Sequence, residues 1–154
     1  MKVWIAAFAL TAMAGQAAAL SCMHPDAVQT FARAEAEAGS YYLLYGTLDF
    51  DASKQPQGVV NKERNPAPIP ATFAGFALDK SGFNTAYSTT LNLQPLCAGP
   101  WCGTQTPGTQ SLFFAKVDGD QITVEASPCG GRIFSDPAQA VLDAMTACIN
   151  GNYP

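Results

Sequence analysis

Chemistry in this sequence would have to start from one histidine, a few aspartates and the cysteines. His24 lies in His24-Pro25-Asp26 and is the only histidine, so it has no partner of its own type for an acid–base relay or a paired metal site. Asp49 and Asp51 are two apart in a strand-like stretch and can share a face. Two carboxylates in one pocket with separated pKa values make an acid–base pair, but these border a Pro- and Lys-containing segment and read as solvated strand-end carboxylates. Asp118 and Asp120 belong to a turn without the oxygen-rich neighbourhood of a calcium loop. Neither a Gly-x-Ser-x-Gly elbow nor a Gly-rich phosphate loop occurs. No catalytic, cofactor-binding or metal-ligating residue is therefore assigned, and the chain is expected not to be an enzyme. Trp101, between Pro100 and Cys102, is the aromatic best placed to bind a partner, and is equally suited to plug the end of a barrel.

Two short motifs resemble known ones and stop short of them. His24-Pro25-Asp26 matches the tripeptide of J-domain cochaperones, which joins two helices of a basic domain; here it reads as helix-start chemistry. Trp101-Cys102-Gly103 resembles the thioredoxin redox motif, but Thr104 and Gln105 follow where its second cysteine is needed.

The N-terminus indicates where the chain is sent. Lys2, the apolar run Val3 to Ala14 and the small residues Ala17-Ala18-Ala19 form the pattern of a secretory signal peptide over residues 1–19. Cleavage after Ala19 leaves residues 20–154 as one expected domain. The apolar run is too short for a hydrocarbon core of ~30 Å, and no later stretch reaches the span length, so no membrane span is expected once the signal is removed. A lipoprotein signal also ends at a cysteine, but Ala19-Leu20-Ser21-Cys22 places the leucine one position late, making a lipid anchor at Cys22 the lesser alternative. With 8 basic residues against 12 acidic, the chain is no basic-patch nucleic-acid binder, and 48% hydrophobic content argues against disorder. A periplasmic or secreted protein is expected, with a periplasmic or extracellular protein as its partner and no cofactor.

In such a compartment cysteines pair. There are five, so one is left over: Cys22, Cys97, Cys102, Cys129 and Cys148. Cys97 and Cys102 flank the turn-forming Ala98-Gly99-Pro100-Trp101 and suit a local bridge. Cys129 and Cys148 are separated by an expected helix, whose rise of about 1.5 Å per residue carries them beyond the ~7 Å Cα limit. Cys22 is then the partner of one of the two. Paired short spacings for zinc are missing.

The elements that must position these residues follow from periodicity. Pro25 to Ala38 reads as a helix, with Asp26 at its positive end and Gly39 as its stop. Tyr41 to Leu48 is apolar on both faces, a strand inside a sheet, with Gly46 marking a bulge or sharp bend. Residues 51–70 carry Pro56, Pro66, Pro68 and Pro70 and read as a long loop, relieved only by Val59-Val60. Phe73 to Leu78 resumes the sheet; Lys80-Ser81-Gly82 turns it. Tyr87, Thr89, Leu91 and Leu93 then alternate with Ser88, Thr90, Asn92 and Gln94 as a half-buried strand. After a loop over 98–109, Leu112 to Val117 and Gln121 to Ala126 form a hairpin through Asp118-Gly119. Asp136, Pro137 and Gln139 read as N-cap, N1 and N3 of a last helix, with Val141, Leu142, Met145, Cys148 and Ile149 as its core stripe. The sum is mainly β with two flanking helices. Five antiparallel strands with a glycine bend predict a closed barrel, since closure removes edges; a small β-sandwich is the alternative.

The order of Cys22, a short helix with Phe31, Leu44-Tyr45-Gly46, Cys102-Gly103, Asp118-Gly119-Asp120, Ile122-Thr123-Val124, Cys129 and a closing helix resembles the OB-fold module of netrin-like domains and tissue inhibitors of metalloproteinases. It covers most of residues 20–154 as spaced landmarks. The resemblance implies a five-stranded OB-like antiparallel barrel with a Cys22–Cys129 disulfide, leaving Cys148 unpaired. In those inhibitors the mature chain begins at the cysteine, whose amine and carbonyl chelate the protease zinc. A cut after Ala19 leaves Leu20-Ser21 in the way; a cut after Ser21 restores the chelating end. The chain is also similar to small exported alphaproteobacterial proteins, which implies a location only. The functional expectation is an exported, non-catalytic binding or interaction domain stabilised by disulfides, using the barrel face and loops 51–70 and 98–109. A secreted protease inhibitor acting through the Cys22 region is the alternative.

Intact-mass analysis of the exported chain, with and without thiol alkylation, is expected to show a start at Leu20 and one alkylatable thiol. A start at Cys22, or a lipid increment on it, overturns that expectation.

Overall fold

The computed structural model describes residues 20–56 and 66–154; residues 1–19, expected to be a signal peptide, and Val59-Val60 lie outside the described residues. Helix α1 spans Ala27–Ala36, shorter at both ends than its pattern. Asp26 is its N-cap, its carboxylate accepting from the Gln29 N–H at 2.8 Å, which satisfies one of the free amides of the first turn. Its buried face is Ala27, Thr30, Phe31 and Ala34 at helical spacing.

Strand β1 (Ser40–Phe50) pairs antiparallel with β2 (Ile69–Asp79), and β2 with β3 (Gly82–Pro95). A two-stranded ribbon follows, β4 (Cys97–Ala98) against β5 (Trp101–Cys102). Strand β6 (Ser111–Asp118) forms a hairpin with β7 (Gln121–Ala126) and also pairs with β8 (Ile133–Ser135). Helix α2 spans Gln139–Ile149. The six-stranded sheet runs β1-β2-β3-β7-β6-β8, with an additional ladder between β1 and β6. It is mixed: β3 and β7 pair in parallel from Asn92↔Thr123 to Pro95↔Ala126, where the sequence predicts antiparallel strands throughout.

Four further expectations need correction. Strand β2 begins inside the predicted loop 51–70, at Ile69, and includes Pro70. Its proline is tolerated because the last β1 pair is Phe50↔Ala71, so one edge of β2 carries no ladder there to break. Strand β8 and the β4–β5 ribbon, two or three residues each, are too short to show a period. Asp136 does not cap α2: the residue preceding the helix is Ala138, without a side-chain cap. Asp136 instead turns the chain out of β8 at φ 46° while its N–H donates to the Gln110 carbonyl. Gly46, last, makes no bulge, because the β2 ladder runs through it in continuous register and the β6 ladder ends at it, so of the two expected roles only the bend is left.

What Gly46 does is let two strands touch. It lies opposite Gly75, and a Cβ added to Gly46 would come 2.8 Å from the Gly75 Cα. One added to Gly75 would come 2.6 Å from the Gly46 Cα, and both would press on the Phe73 ring at 2.9 Å. Here β1 changes partner: Ser40–Gly46 pair with β6, and Leu44–Phe50 with β2. The alternation of side chains then sends Leu44, Leu48, Phe73, Phe113 and Val124 into one core, and Leu43, Leu112 and Phe114 into a second, where Phe31, Leu142 and Met145 of the helices meet them. Residues Ser111–Ala115 of β6 are all buried because both faces are covered.

Substituting Gly46 by alanine is expected to lower stability by about 1–3 kcal/mol, the cost of overpacking a site where only backbone can yield. Urea unfolding measures it; an unchanged midpoint would refute the close approach.

Candidate functional site

The residues singled out by type do not assemble. Asp49 is exposed one residue before the end of β1, and Asp51 lies beyond the strand, its carboxylate accepting from the Ser53 N–H (3.0 Å) and hydroxyl (2.6 Å) to start the 3-10 turn Ala52–Lys54. Those hydrogen bonds hold the Asp51 carboxyl below its ordinary value. Asp118 and Asp120 are exposed on the β6–β7 turn. Trp101 is 37% exposed on β5 and borders none of the clefts described below.

The cysteines pair as Cys22–Cys129 and Cys97–Cys102, and Cys148 is free and buried on α2. Burial pushes the Cys148 thiol up from its ordinary value. The Cys22–Cys129 bridge spans 107 residues. In the chain-entropy account such a loop contributes about 4–5 kcal/mol. The bridge occupies the Cys22 sulfur that a thioether lipid anchor would need. Two disulfides, and no helix among the described residues long and apolar enough to cross a membrane, are compatible with a periplasmic or extracellular place.

The predicted loops meet at one end of the sheet. The Gln105 N–H donates to Gln55 Oε1 (2.9 Å), and the Gly108 N–H to the Leu48 carbonyl (2.9 Å). Buried Gln105 donates through Nε2 to Ser111 Oγ at 3.1 Å. The 98–109 segment is therefore pinned by a buried polar network.

Two adjoining grooves of about 330 Å3 each flank the start of α1 and share Thr30, Arg33, Gly130 and Gly131. The first contains exposed His24 beside the Cys22–Cys129 bridge. The second contains a locked cluster: Arg132 pairs with Glu37 and lies 4.8 Å from the Tyr41 ring centre, while the Tyr41 hydroxyl donates to Glu37. The Tyr41 hydrogen bond, then the Arg132 guanidinium, hold Glu37 below the ordinary carboxylate range. Burial and the Glu37 carboxylate push Tyr41 up to about 12.

A larger cleft of about 410 Å3 opens at the other end of β2, between the β2–β3 turn and α2. Phe76, Phe83 and Tyr45 form its apolar side; Tyr45 and Phe83 meet edge to face at 5.8 Å. Helix α2 contributes Gln139, Asp143 and Thr146, which the i, i+4, i+7 spacing brings to one face. Ser81 and Asn84 come from the turn and the start of β3. Phe76 is 41% exposed, opposite Tyr45 in the β1–β2 register. The sequence reading places Phe76 only in the strand run Phe73 to Leu78; what marked its outward side was its odd spacing from buried Phe73, three residues away on a period of two. Comparisons with family models, curated protein sequences and solved structures return no match.

Because Glu37 is depressed, its contribution to stability is complete above the ordinary glutamate value and lost as pH falls through the folded one; Tyr41, raised, contributes below about 10 and loses it as pH rises through about 12. Glu37→Gln is expected to reduce the acid-side loss in urea midpoints by the Glu37 share, leaving that of Asp51 and Asp79, and to lower the Tyr41 titration while burial keeps it above the ordinary tyrosine value. A Tyr41 titration that does not move contradicts the cluster.

Proposed function

We propose that the chain is an exported, non-catalytic binding domain on a disulfide-stapled OB-type barrel, and that its ligand occupies the cleft between the β2–β3 turn and α2. The barrel reading is supported by the circuit of ladders: β1 to β2, β2 to β3, β3 to β7, β7 to β6, and β6 back to β1. Signal peptide, periplasmic or secreted location and OB kinship belong to the same reading, supported by the two disulfides and by the resemblance of the spaced landmarks. The observation that carries the binding site is the cleft itself. At about 410 Å3 it falls within the ~300–1,000 Å3 of small-ligand sites, and it combines an exposed ring with amide, hydroxyl and carboxylate groups. Trp101, at the loop end of the sheet, is a candidate for a second contact with a protein partner.

A second reading is a secreted protease inhibitor. Residues 21–24 are exposed, non-helical and tied down at Cys22, with Met23 83% exposed, so a short segment is presented from a rigid base. Zinc chelation through this segment requires Cys22 to be the chain end.

Amide chemical-shift mapping of the oxidised chain against a fragment mixture tests the first reading. Shifts are expected to gather on Phe76, Asn84 and Asp143. A mixture that moves no signal around the cleft, or moves only the 21–24 segment, overturns it.

A further inference from the structure

We infer that this cleft takes a neutral saccharide, its ring stacked on Phe76 and its hydroxyls donating to the oxygens of Asn84, Gln139 and Asp143. This assignment rests on the cleft being the binding site. The argument begins with what the polar groups have left to offer. Asn84 Nδ2 already donates to the Ser81 carbonyl (2.8 Å), Gln139 Nε2 to Asp143 Oδ1 (2.9 Å) and the Thr146 hydroxyl to the Leu142 carbonyl (3.0 Å); the Ser81 hydroxyl donates to Asp79. Half of the amide donors and most of the acceptors are left: Asn84 Nδ2 and Gln139 Nε2 each keep one N–H, and Asn84 Oδ1, Gln139 Oε1, Asp143 Oδ2 and the Tyr45 hydroxyl have no partner among these bonds. A complementary ligand must therefore bring several donors of its own, and groups such as hydroxyls that also accept.

Charge narrows the class. Among the described residues, Asp143 is the only ionisable group of the lining other than Tyr45, and no lysine, arginine or histidine lines the cleft. A phosphate or carboxylate would face a carboxylate and amide oxygens with no cation to pair it, and is disfavoured. A purely apolar ligand would cover the amides without satisfying them. An organic cation would use Asp143 and the rings but leave the two amide oxygens idle. A sugar uses all of them: hydroxyls at its rim for the oxygens, and an apolar C–H face for the exposed Phe76 ring.

The floor is kept open by Gly82. A Cβ there would stand 3.4 Å from Thr146 Oγ1 and 3.5 Å from Asn84 Nδ2, between the helix wall and the turn wall, and φ of +109° disfavours any side chain. The walls come from segments distant in sequence, fixed by Asn150 Nδ2 donating to the Lys80 carbonyl at 3.0 Å, so the helix end and the hairpin tip are tied together.

The test is amide chemical-shift titration of the disulfide-bonded chain with cellobiose, N,N′-diacetylchitobiose, benzyltrimethylammonium and glucuronate in parallel. The result expected is saturable binding of at least one neutral disaccharide, with shifts at Asn84, Gln139 and Asp143 and none from glucuronate. Phe76→Ala should weaken it by about tenfold, the loss of one stacking contact. Asp143→Asn, on the exposed face of α2, should weaken it while leaving the rest of the spectrum in place, which separates binding from folding. If benzyltrimethylammonium saturates the cleft and both disaccharides leave it unmoved, the saccharide assignment falls and the binding site stands. Silence of the cleft towards every probe and the fragment mixture overturns both. Disaccharide binding undiminished in both variants places the sugar elsewhere and likewise overturns the assignment.

Discussion

Strand β1 has to serve two neighbours, and it does so by passing closer to β2 than any side chain allows. Gly46 and Gly75 face each other at the point where β1 leaves β6 for β2, and the Phe73 ring covers the gap that two absent side chains leave. Cross-strand covering of glycine by an aromatic ring is a known device for turning a sheet sharply without opening its core. Phe73 then meets Phe113 edge to face at 6.0 Å, so the same ring that closes the corner anchors the inner core. With the corner fixed, the opposite faces of β1 and β6 are left for the helices. Where α2 lies against β1 and the β2–β3 hairpin decides the width of the cleft.

Local signals in the sequence were faithful wherever one pair of neighbouring segments explains them. The alternation from Tyr87 to Gln94 matches the burial along β3, with Leu91 and Leu93 buried and Ser88 and Thr90 exposed. The Asp118-Gly119 turn falls between β6 and β7, and Lys80-Ser81 between β2 and β3. The apolar character of Leu43–Leu48 is that of a strand covered on both faces, while Tyr42 before it is 45% exposed. What stayed hidden is non-local. The parallel β3–β7 ladder joins segments some thirty residues apart and leaves no mark on either. Gly46 could be recognised as special, but not its partner Gly75, because the sequence does not show which strand lies opposite.

The candidate site was the least legible part, for the same reason. Its residues come from β1, the β2–β3 hairpin and α2, and none carries a motif. Phe76 reads only as part of a strand, because a short apolar run does not reveal which of its members faces outward. Gln139 reads as a helix-start residue, and Asp143 and Thr146 carry no signal of their own until the hairpin tip is placed opposite them. Charge also divides the surface in a way composition conceals. Arg33, Arg132, Glu37 and Glu125 gather at the groove beside α1, where Arg132 and Glu37 pair, while the larger cleft holds Asp143 alone. The first arrangement ties α1 to the segment after Cys129; the second leaves its carboxylate without a cation among the described residues.

The Cys22–Cys129 bridge imposes an order of events on a chain synthesised from its N-terminus. Cys22 emerges first among the cysteines, and its partner follows 107 residues later, after Cys97 and Cys102 have both appeared. At about 5–20 residues per second that interval lasts several seconds, whereas a short loop closes in well under a microsecond. The β4–β5 ribbon sets Cys97 directly across from Cys102, so that pair closes a loop five residues long, while Cys22 meets its partner only across 107 residues.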